Sequence, residues 1–133
     1  MKDPNNPCLF CNVHSKEFVL ENKLAFATYD SYPVSKFHAL VVPKRHVDSY
    51  FELSNDEVIS CNEIIKKLKK LLEDKDNSIM GFNIGSNSGK VAGQSIYHCH
   101  IHLIPRRKGD VDNPQGGVRS VIASKQHYVR KTK

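Results

Sequence analysis

The chain has 133 residues, of which 39% are hydrophobic and 26% charged, and its formal net charge is +6 at pH 7. This length suits one domain, and no apolar run approaches the ~18 residues that a membrane span needs. No hydrophobic stretch follows residues 1–7, so we expect no secretory signal and no membrane partner. The four cysteines are then expected to be thiols or metal ligands in a cytoplasmic protein.

The first part of the chain predicts a β-hairpin and a further strand. Residues 17–21 and 24–29 are apolar segments separated by Asn22 and Lys23, a spacing that is typical of a tight hairpin. Residues 37–42 contain β-branched side chains that favour a strand, and Pro43 would end it.

A long amphipathic helix is predicted next. Residues 54–57 form a Ser-x-x-Glu capping box, and apolar residues then recur at helical spacing to about residue 73. Two more strands are predicted at residues 79–84 and 96–104, the second ended by Pro105. Strands that flank one long helix favour an α+β domain, with an undefined tail over about residues 111–133.

The basic residues accompany no nucleic-acid-binding motif. The net charge allows an anionic partner but does not identify one, and we do not expect DNA or RNA binding. Lys66, Lys67, Lys69 and Lys70 fall within the helical pattern, where a solvated outer face explains them.

Three alternating histidines are the strongest chemical signal. A strand would place His98, His100 and His102 on one face, while the apolar residues between them turn into the core. Such a row could ligate a catalytic metal, or one imidazole could act as a nucleophile beside an anionic substrate. The Gly- and Ser-rich residues 85–95 favour the second chemistry, because such a loop offers amides and hydroxyls to phosphate oxygens. The loop is not a P-loop, because its glycine spacing is too short.

Residues 98–104 match the histidine-triad (HIT) signature, in which histidines alternate with apolar residues, at every position. Residues 37–46 resemble the upstream strand of that family with its fourth histidine, and residues 92–95 resemble the segment before the triad. Residues 104–110 resemble the stretch after the triad in the bacterial-type diadenosine polyphosphate hydrolase-like branch. The resemblance covers about residues 8–110.

The resemblance implies an antiparallel sheet of about five strands with one long helix, in a single HIT domain over residues 1–133. It also implies hydrolysis of a nucleotide at its α-phosphate, with His100 as nucleophile, His102 assisting the leaving group and His38 supporting both. Diadenosine polyphosphates or adenosine phosphoramidates would be the AMP-containing substrates, and the protein would be a homodimer. Nucleotidyl transfer, or a nucleotide-binding scaffold with incidental hydrolysis, are the alternatives.

The resemblance further implies a set of nucleotide contacts. The positions that match phosphate contacts are Asn83, Gln94 and Ser95. The positions that match base and ribose contacts are Leu9, Phe10, Phe26 and Asp30, although core packing explains the three apolar residues equally well.

Cys8 and Cys11 form a CxxC motif, which alone is half of a zinc site or a redox pair. A thioredoxin-like motif needs a strand before it and a helix after it, and neither is evident. In some HIT relatives two histidines complete a structural Cys2His2 zinc site, and the matching residues here are His46 and His98. Free or redox-active thiols remain the alternative. Cys61 and Cys99 are predicted to be core thiols.

Overall fold

The computed structural model describes residues 6–131 and contains five strands and one long helix. These elements are β1 (Leu20–Glu21), β2 (Ala25–Tyr29), β3 (Ala39–Pro43), α1 (Asn55–Lys75), β4 (Ile79–Gly85) and β5 (Ile101–Arg107). The strands form one sheet in the order β1-β2-β3-β5-β4, and every neighbouring pair is antiparallel. The predicted α+β class and sheet type are confirmed.

Helix α1 begins with the predicted capping box. The Glu57 N–H donates to Ser54 Oγ over 3.2 Å, and the Ser54 N–H donates to Glu57 Oε1 over 2.8 Å. A buried stripe of Cys61, Ile64, Leu68 and Leu72 packs against one face of the sheet. The four clustered lysines are exposed, as predicted. Hydrophobic burial against α1 therefore stabilises this face of the sheet.

The opposite face of the sheet carries a second apolar cluster. Phe26, Leu40 and Val42 pack there against Phe10 of the N-terminal segment, and Phe18 stacks on Phe26. Side chains alternate between the two faces of a strand. Leu40 is the cross-strand partner of His102, so the triad chemistry lies on the face away from α1.

Two predicted strands begin later than expected. Residues Ser15–Glu17 form a 3-10 turn, so β1 starts only at Leu20. Phe37 has φ = 72°, which lies outside the extended region, so β3 starts at Ala39. The Phe37 ring lies beneath the ammonium groups of Lys36 and Lys75, at 5.1 and 5.9 Å from its centroid.

The prediction that the triad strand spans residues 96–104 and ends at Pro105 is wrong. Strand β5 begins at Ile101 and continues through Pro105 to Arg107, so His98 and His100 lie in the extended segment before it. The N and C=O of one residue in an antiparallel strand point to the same side. The Pro105 carbonyl accepts from Ser35 Oγ over 2.8 Å, and Pro105 lies beyond the last residue of β5 that pairs with β3. Proline has no N–H, and on this side of β5 no strand requires one.

The segment after Asp110 is more ordered than the undefined tail that the sequence predicts. It contains two 3-10 turns, Gly117–Val121 and Ala123–Lys125, and the first contacts β4. Residues 132–133 of the predicted tail lie outside the described residues, as do residues 1–5. Within residues 6–131, no helix is both long and apolar enough to cross a membrane.

Candidate active site and metal centre

A cavity of about 920 Å³, here called the proximal cavity, opens on the sheet face away from α1. Leu9 and Phe10 of the N-terminal segment form one wall, and Asp30 at the end of β2 lies on another. His100 and His102 line the same cavity. The predicted nucleophile and its predicted partner therefore face one shared space.

Hydrogen bonding determines which nitrogen of His100 faces the cavity. A carbonyl oxygen can only accept, so the 2.8 Å contact between His100 Nδ1 and the His98 carbonyl requires a proton on Nδ1. The neutral ring then carries its lone pair on Nε2. Within residues 6–131, every buried side-chain nitrogen or oxygen has a hydrogen-bond partner, and no described residue bonds His100 Nε2. This nitrogen is therefore not buried, and it is accessible from the cavity that His100 lines. His100 thus presents a nucleophilic nitrogen to the cavity.

His38 and His102 form a relay whose protons are also determined. The Val34 N–H donates to His38 Nδ1 over 3.1 Å, which leaves the His38 proton on Nε2. That Nε2–H donates to His102 Nδ1 over 2.9 Å, so the proton of neutral His102 is on its own Nε2. The His100 and His102 ring centroids are 5.2 Å apart. The pair therefore combines a lone pair on His100 with a proton donor on His102.

The surroundings keep this relay neutral. Burial lowers the pKa of His38, and burial together with the neighbouring imidazoles lowers the pKa of His102. Asp30 opposes the shift in both rings, because its Oδ2 lies 3.4 Å from His38 Nε2 and 4.0 Å from His102 Nδ1. Asp30, His38 and His102 also have the composition of a metal site. The proton shared between His38 Nε2 and His102 Nδ1, however, occupies the two nitrogens that would bind the ion.

The second cluster joins the CxxC motif to the triad. Cys8 Sγ lies 3.4 Å from His98 Nδ1, and Cys11 Sγ lies 3.5 Å from His98 Nδ1 and 3.3 Å from His46 Nδ1. The two histidine Nδ1 atoms are 3.2 Å apart. In a tetrahedron with Zn–S of about 2.3 Å and Zn–N of about 2.0–2.1 Å, ligand atoms are separated by roughly 3.3–3.8 Å. The four side chains fit Zn²⁺.

The protonation of His98 supports this fit. Its Nε2–H donates to the Pro43 carbonyl over 2.8 Å, so its Nδ1 lone pair faces the cysteines. Burial lowers the pKa of His98, which keeps the ring neutral as a ligand must be. The Cys11 N–H also contacts Cys8 Sγ at 3.4 Å. Burial and the Cys8 sulfur raise the pKa of Cys11. A divalent cation between the two sulfurs would favour the thiolate form and so lower that pKa.

The three triad histidines do not line one surface, contrary to the sequence expectation. His98 is fully buried and its ring turns toward the cysteines, whereas His100 and His102 face the proximal cavity. The Phe10 ring lies between the two groups, at 6.0 Å from the His98 centroid and 4.8 Å from that of His100. Cys99 is buried in the core as predicted, and so is Cys61.

Four of the expected nucleotide contacts line the proximal cavity, and Phe26 does not. Ser95 lines the proximal cavity, as Leu9, Phe10 and Asp30 do. Phe26 is 3% exposed and belongs to the apolar cluster beneath the cavity.

Gln94 and Asn83, which the resemblance implies are phosphate contacts, do not line the proximal cavity, although Asn83 lines the second cavity that His102 also lines. The amide of Gln94 donates to the Asp48 and Ile96 carbonyls over 2.6 and 3.1 Å and accepts from the Gly89 N–H over 2.9 Å, so it holds the loop together. Asn83 accepts from Arg106 over 2.7 Å and does not line the proximal cavity.

The sequence analysis included Ser86 and Asn87 only as members of the phosphate-binding loop over residues 85–95, and it did not single out Thr28. Asn87 lines both the proximal cavity and a second cavity, described next. Ser86 Oγ donates to the His100 carbonyl over 2.7 Å and so holds the backbone of that residue. Thr28 lines the proximal cavity from β2. Two-residue alternation with Phe26 could have revealed Thr28, whereas the loop positions carry no periodic signal.

The second cavity, here called the distal cavity, measures about 820 Å³ and lies against the same relay. It shares Val34, His38, Asn87 and His102 with the proximal cavity. His100, by contrast, lines the proximal cavity. The two cavities therefore meet at the imidazole that carries the proton donor.

The model of the HIT domain family matches residues 12–109. The chain belongs to the HIT family. An uncharacterized HIT-like protein of Methanocaldococcus jannaschii is 42% identical over 108 residues, which cover 77% of this chain and 81% of that protein. Adenosine 5'-monophosphoramidase HNT1 of Saccharomyces cerevisiae is 31% identical over 104 residues, which cover 75% of this HIT protein and 63% of the yeast enzyme.

Solved structures of HIT proteins share the fold. A HIT family protein from Bacillus anthracis superposes with a TM-score of 0.72 at 28% identity, covering 90% of this chain and 96% of that one. A Zn-bound histidine triad family protein from Mycobacterium smegmatis superposes with a TM-score of 0.70 at 27% identity, covering 78% of each chain. A Zn-bound relative therefore has the same fold as this HIT protein.

Proposed function

We propose that this HIT protein hydrolyses an AMP-containing nucleotide at the α-phosphate through a nucleotidyl intermediate on His100. The observation that carries the proposal is the complementary protonation of two adjacent rings, a lone pair on His100 Nε2 beside a proton on His102 Nε2. The yeast relative, an adenosine 5'-monophosphoramidase, supports a bond to an AMP phosphorus as the target.

In the first step, the His100 lone pair attacks phosphorus while the bond to the leaving group breaks. His102 donates its Nε2 proton to the departing atom and becomes an imidazolate, whose charge is balanced by the cationic phosphorylated ring of His100 5.2 Å away. The hydrogen bond from His38 Nε2–H to His102 Nδ1 keeps the donated proton on Nε2 beforehand. Ser86 holds the His100 carbonyl, and the His98 carbonyl holds the His100 ring, so the attacking atom needs no reorientation.

In the second step, water attacks the same phosphorus and the P–N bond to His100 breaks. The His102 imidazolate takes the proton from the water and becomes neutral again, His100 regains its Nε2 lone pair, and AMP leaves. Division of one displacement into two lowers each barrier, and both rings return to their starting protonation states. The presence of Ser95 in the lining of the proximal cavity supports a phosphate contact, and that of Leu9 and Phe10 supports an apolar wall for the base.

A structural zinc ion held by Cys8, Cys11, His46 and His98 would tie the N-terminal wall of the proximal cavity to the triad segment. When bound, the ion would supply folding free energy and no open coordination position. The homodimeric state, the cytoplasmic location and the limits of the single HIT domain that the resemblance implies are further parts of this proposal.

His100→Asn tests the proposed function. We expect turnover of diadenosine tetraphosphate and of adenosine phosphoramidate to fall by several orders of magnitude, because no other group can carry the covalent intermediate. AMP affinity should remain within a few-fold. Rapid quench with substrate labelled in the α-phosphate should trap a nucleotidyl protein in wild type only. His14→Asn is the matched control, since His14 bonds the Lys16 amide in a 3-10 turn. Near-normal turnover by His100→Asn would refute the nucleophile.

A further inference from the structure

Phe37 is the only non-glycine residue within residues 6–131 that has a positive φ, at 72°. Steric repulsion by Cβ disfavours this region, and a bulky side chain there is a genuine outlier. Such strain persists only where the surrounding contacts impose it, and it concentrates at functional sites. Phe37 directly precedes His38 in the chain, so the strain lies next to an imidazole of the relay.

The strained residue is the third of four in a tight turn over residues 35–38. The His38 N–H donates to the Ser35 carbonyl over 3.1 Å, which closes the turn. A positive φ at the third residue and not at the second is typical of a type II turn, where glycine or asparagine is usual. Both ends of the turn are also held by the sheet. Ser35 Oγ donates to the Pro105 carbonyl over 2.8 Å, and the Asp30 N–H donates to the His38 carbonyl over 2.9 Å.

The turn determines the tautomers of the relay. By reversing the chain it brings the Val34 N–H to 3.1 Å from His38 Nδ1, so the His38 proton lies on Nε2 and is donated to His102 Nδ1. Within the described chain, no second donor is bonded to His38 Nδ1. If Phe37 relaxed to a negative φ, the turn would open and His38 Nδ1 would lose this donor.

The Phe37 ring is held by contacts on several sides. It packs against the apolar cluster between α1 and the sheet, and its centroid lies 5.8 Å from that of Tyr29. The ammonium groups of Lys36 and Lys75 lie 5.1 and 5.9 Å from the same centroid. Apolar burial and cation–π attraction both favour the backbone conformation that permits these contacts. The side chain therefore offsets the strain of its own backbone.

We propose that Phe37 is a positioning residue for the proton relay. Its ring contacts hold residue 37 at a positive φ, and the resulting turn keeps the protons of His38 and His102 on Nε2. Phe37 lines neither the proximal nor the distal cavity, so it acts through His38 and not on the substrate. The inference rests on the proposed function and deepens it, because the His102 Nε2 proton is the one that the leaving group receives.

Four substitutions of Phe37 in the full-length protein separate the backbone conformation from the ring. Phe37→Gly and Phe37→Asn tolerate a positive φ, whereas Phe37→Ala and Phe37→Leu disfavour it. Glycine and alanine both remove the ring, and leucine is more apolar than asparagine at a similar size. A packing role alone would therefore favour leucine over asparagine, and a backbone role would favour the reverse. Phe51→Ala is the matched control, since Phe51 is 84% exposed and lines neither cavity.

The ring ¹⁵N chemical shifts of labelled histidines report the tautomers directly. Wild type, the control and the glycine and asparagine variants should carry the protons of His38 and His102 on Nε2 at neutral pH. The alanine and leucine variants should show a mixture, with part of the His38 population protonated on Nδ1. The same tautomers in wild type and all four Phe37 variants would overturn the proposal.

Turnover of adenosine phosphoramidate provides the second measurement. We expect kcat of the alanine and leucine variants to be about tenfold below that of the glycine and asparagine variants, with KM within about twofold. The leucine variant retains an apolar side chain, so the comparison with asparagine survives if the alanine variant does not fold. A higher kcat for leucine than for asparagine, or equal losses in all four variants, would assign Phe37 a packing role only and overturn the proposal.

The failure of the proposed function would be distinguishable from the failure of this inference. If wild type turns over no AMP-containing substrate, the proposed function fails, while the ¹⁵N shifts still decide whether Phe37 sets the tautomers. If wild type acts through His100 but the four variants do not follow the order of their φ preferences, only the inference about Phe37 fails.

Discussion

Nε2 of His38 lies 2.9 Å from Nδ1 of His102, and the backbone N–H of Val34 determines which of them carries the proton. A single amide before β3 thus sets the tautomer of a ring on β5, that is, which His102 nitrogen carries the proton. Asp30 lies 3.4 Å from His38 Nε2 and biases the charge of the pair. The protonation of the His38–His102 pair consequently depends on groups outside the two rings.

Asp30→Asn should move the acid limb of the pH profile of kcat to lower pH. Burial lowers the pKa values of His38 and His102 and Asp30 raises them, so loss of the carboxylate lowers both further. The relay works in its neutral form, which wild type retains below the ordinary histidine pKa of about 6.5 and the variant would retain lower still. Asp74→Asn, an exposed helix residue, controls for net charge. A limb displaced to higher pH would contradict this account.

Cys8→Ser should lower zinc content and melting temperature together. The four candidate ligands come from segments that the unfolded chain does not bring together, so metal binding contributes to folding. Measurable turnover should remain in the folded fraction, and a chelator should act slowly, through unfolding. Cys61→Ser is a control that alters a buried thiol outside the cluster and should leave zinc content unchanged. Instant loss of activity on chelation, reversed at once by Zn²⁺, would indicate a catalytic metal.

Glu57→Gln should destabilise the protein by about 1–3 kcal/mol, the range for charge-assisted hydrogen bonds. Glu57 is 4% exposed and accepts from Arg45 over 2.7 and 3.0 Å, which ties the start of α1 to the neighbour of His46. Arg45 lowers the pKa of Glu57 to about 2. A depressed carboxyl pKa stabilises the fold above the ordinary value and loses that contribution as the pH falls toward 2. The difference between wild type and variant, measured by urea unfolding, should therefore shrink below about pH 4.5. Glu63→Gln, on the exposed face, should change little.

Gly116→Ala should loosen the wall of the distal cavity. Gly116 has φ = 82°, and a Cβ there would lie 2.0 Å from the Gln126 carbonyl oxygen. Gly109 has a similar φ of 80° with nothing within 4 Å, so Gly109→Ala carries the backbone strain without the clash. Hydrogen exchange over residues 113–128 should increase in the Gly116 variant more than in the Gly109 variant, with core amides unchanged. Equal exchange in the two variants would show that packing at Gly116 does not hold this wall.

Local signals in the sequence were sufficient for the helix and for most of the sheet. The capping box and the apolar spacing of α1 depend on neighbours three and four residues apart, which any helix brings together. The boundaries of β3 and β5 depended on tertiary surroundings. Phe37 adopts a positive φ beneath two lysines, and Pro105 continues β5 because Ser35 satisfies its carbonyl where no strand is paired.

The sequence by itself determined which residues are the candidates for chemistry, because three alternating histidines and a CxxC motif can be recognised without a structure. Only the tertiary structure decided how the triad divides between the Cys8–Cys11–His46–His98 cluster and the proximal cavity. His98 turns toward Cys8 and Cys11 because its Nε2–H is held by the Pro43 carbonyl, whereas His100 is held by a carbonyl next to it in the chain. Protonation of an imidazole follows from its hydrogen-bond partners, and those partners lie up to 90 residues away in the chain.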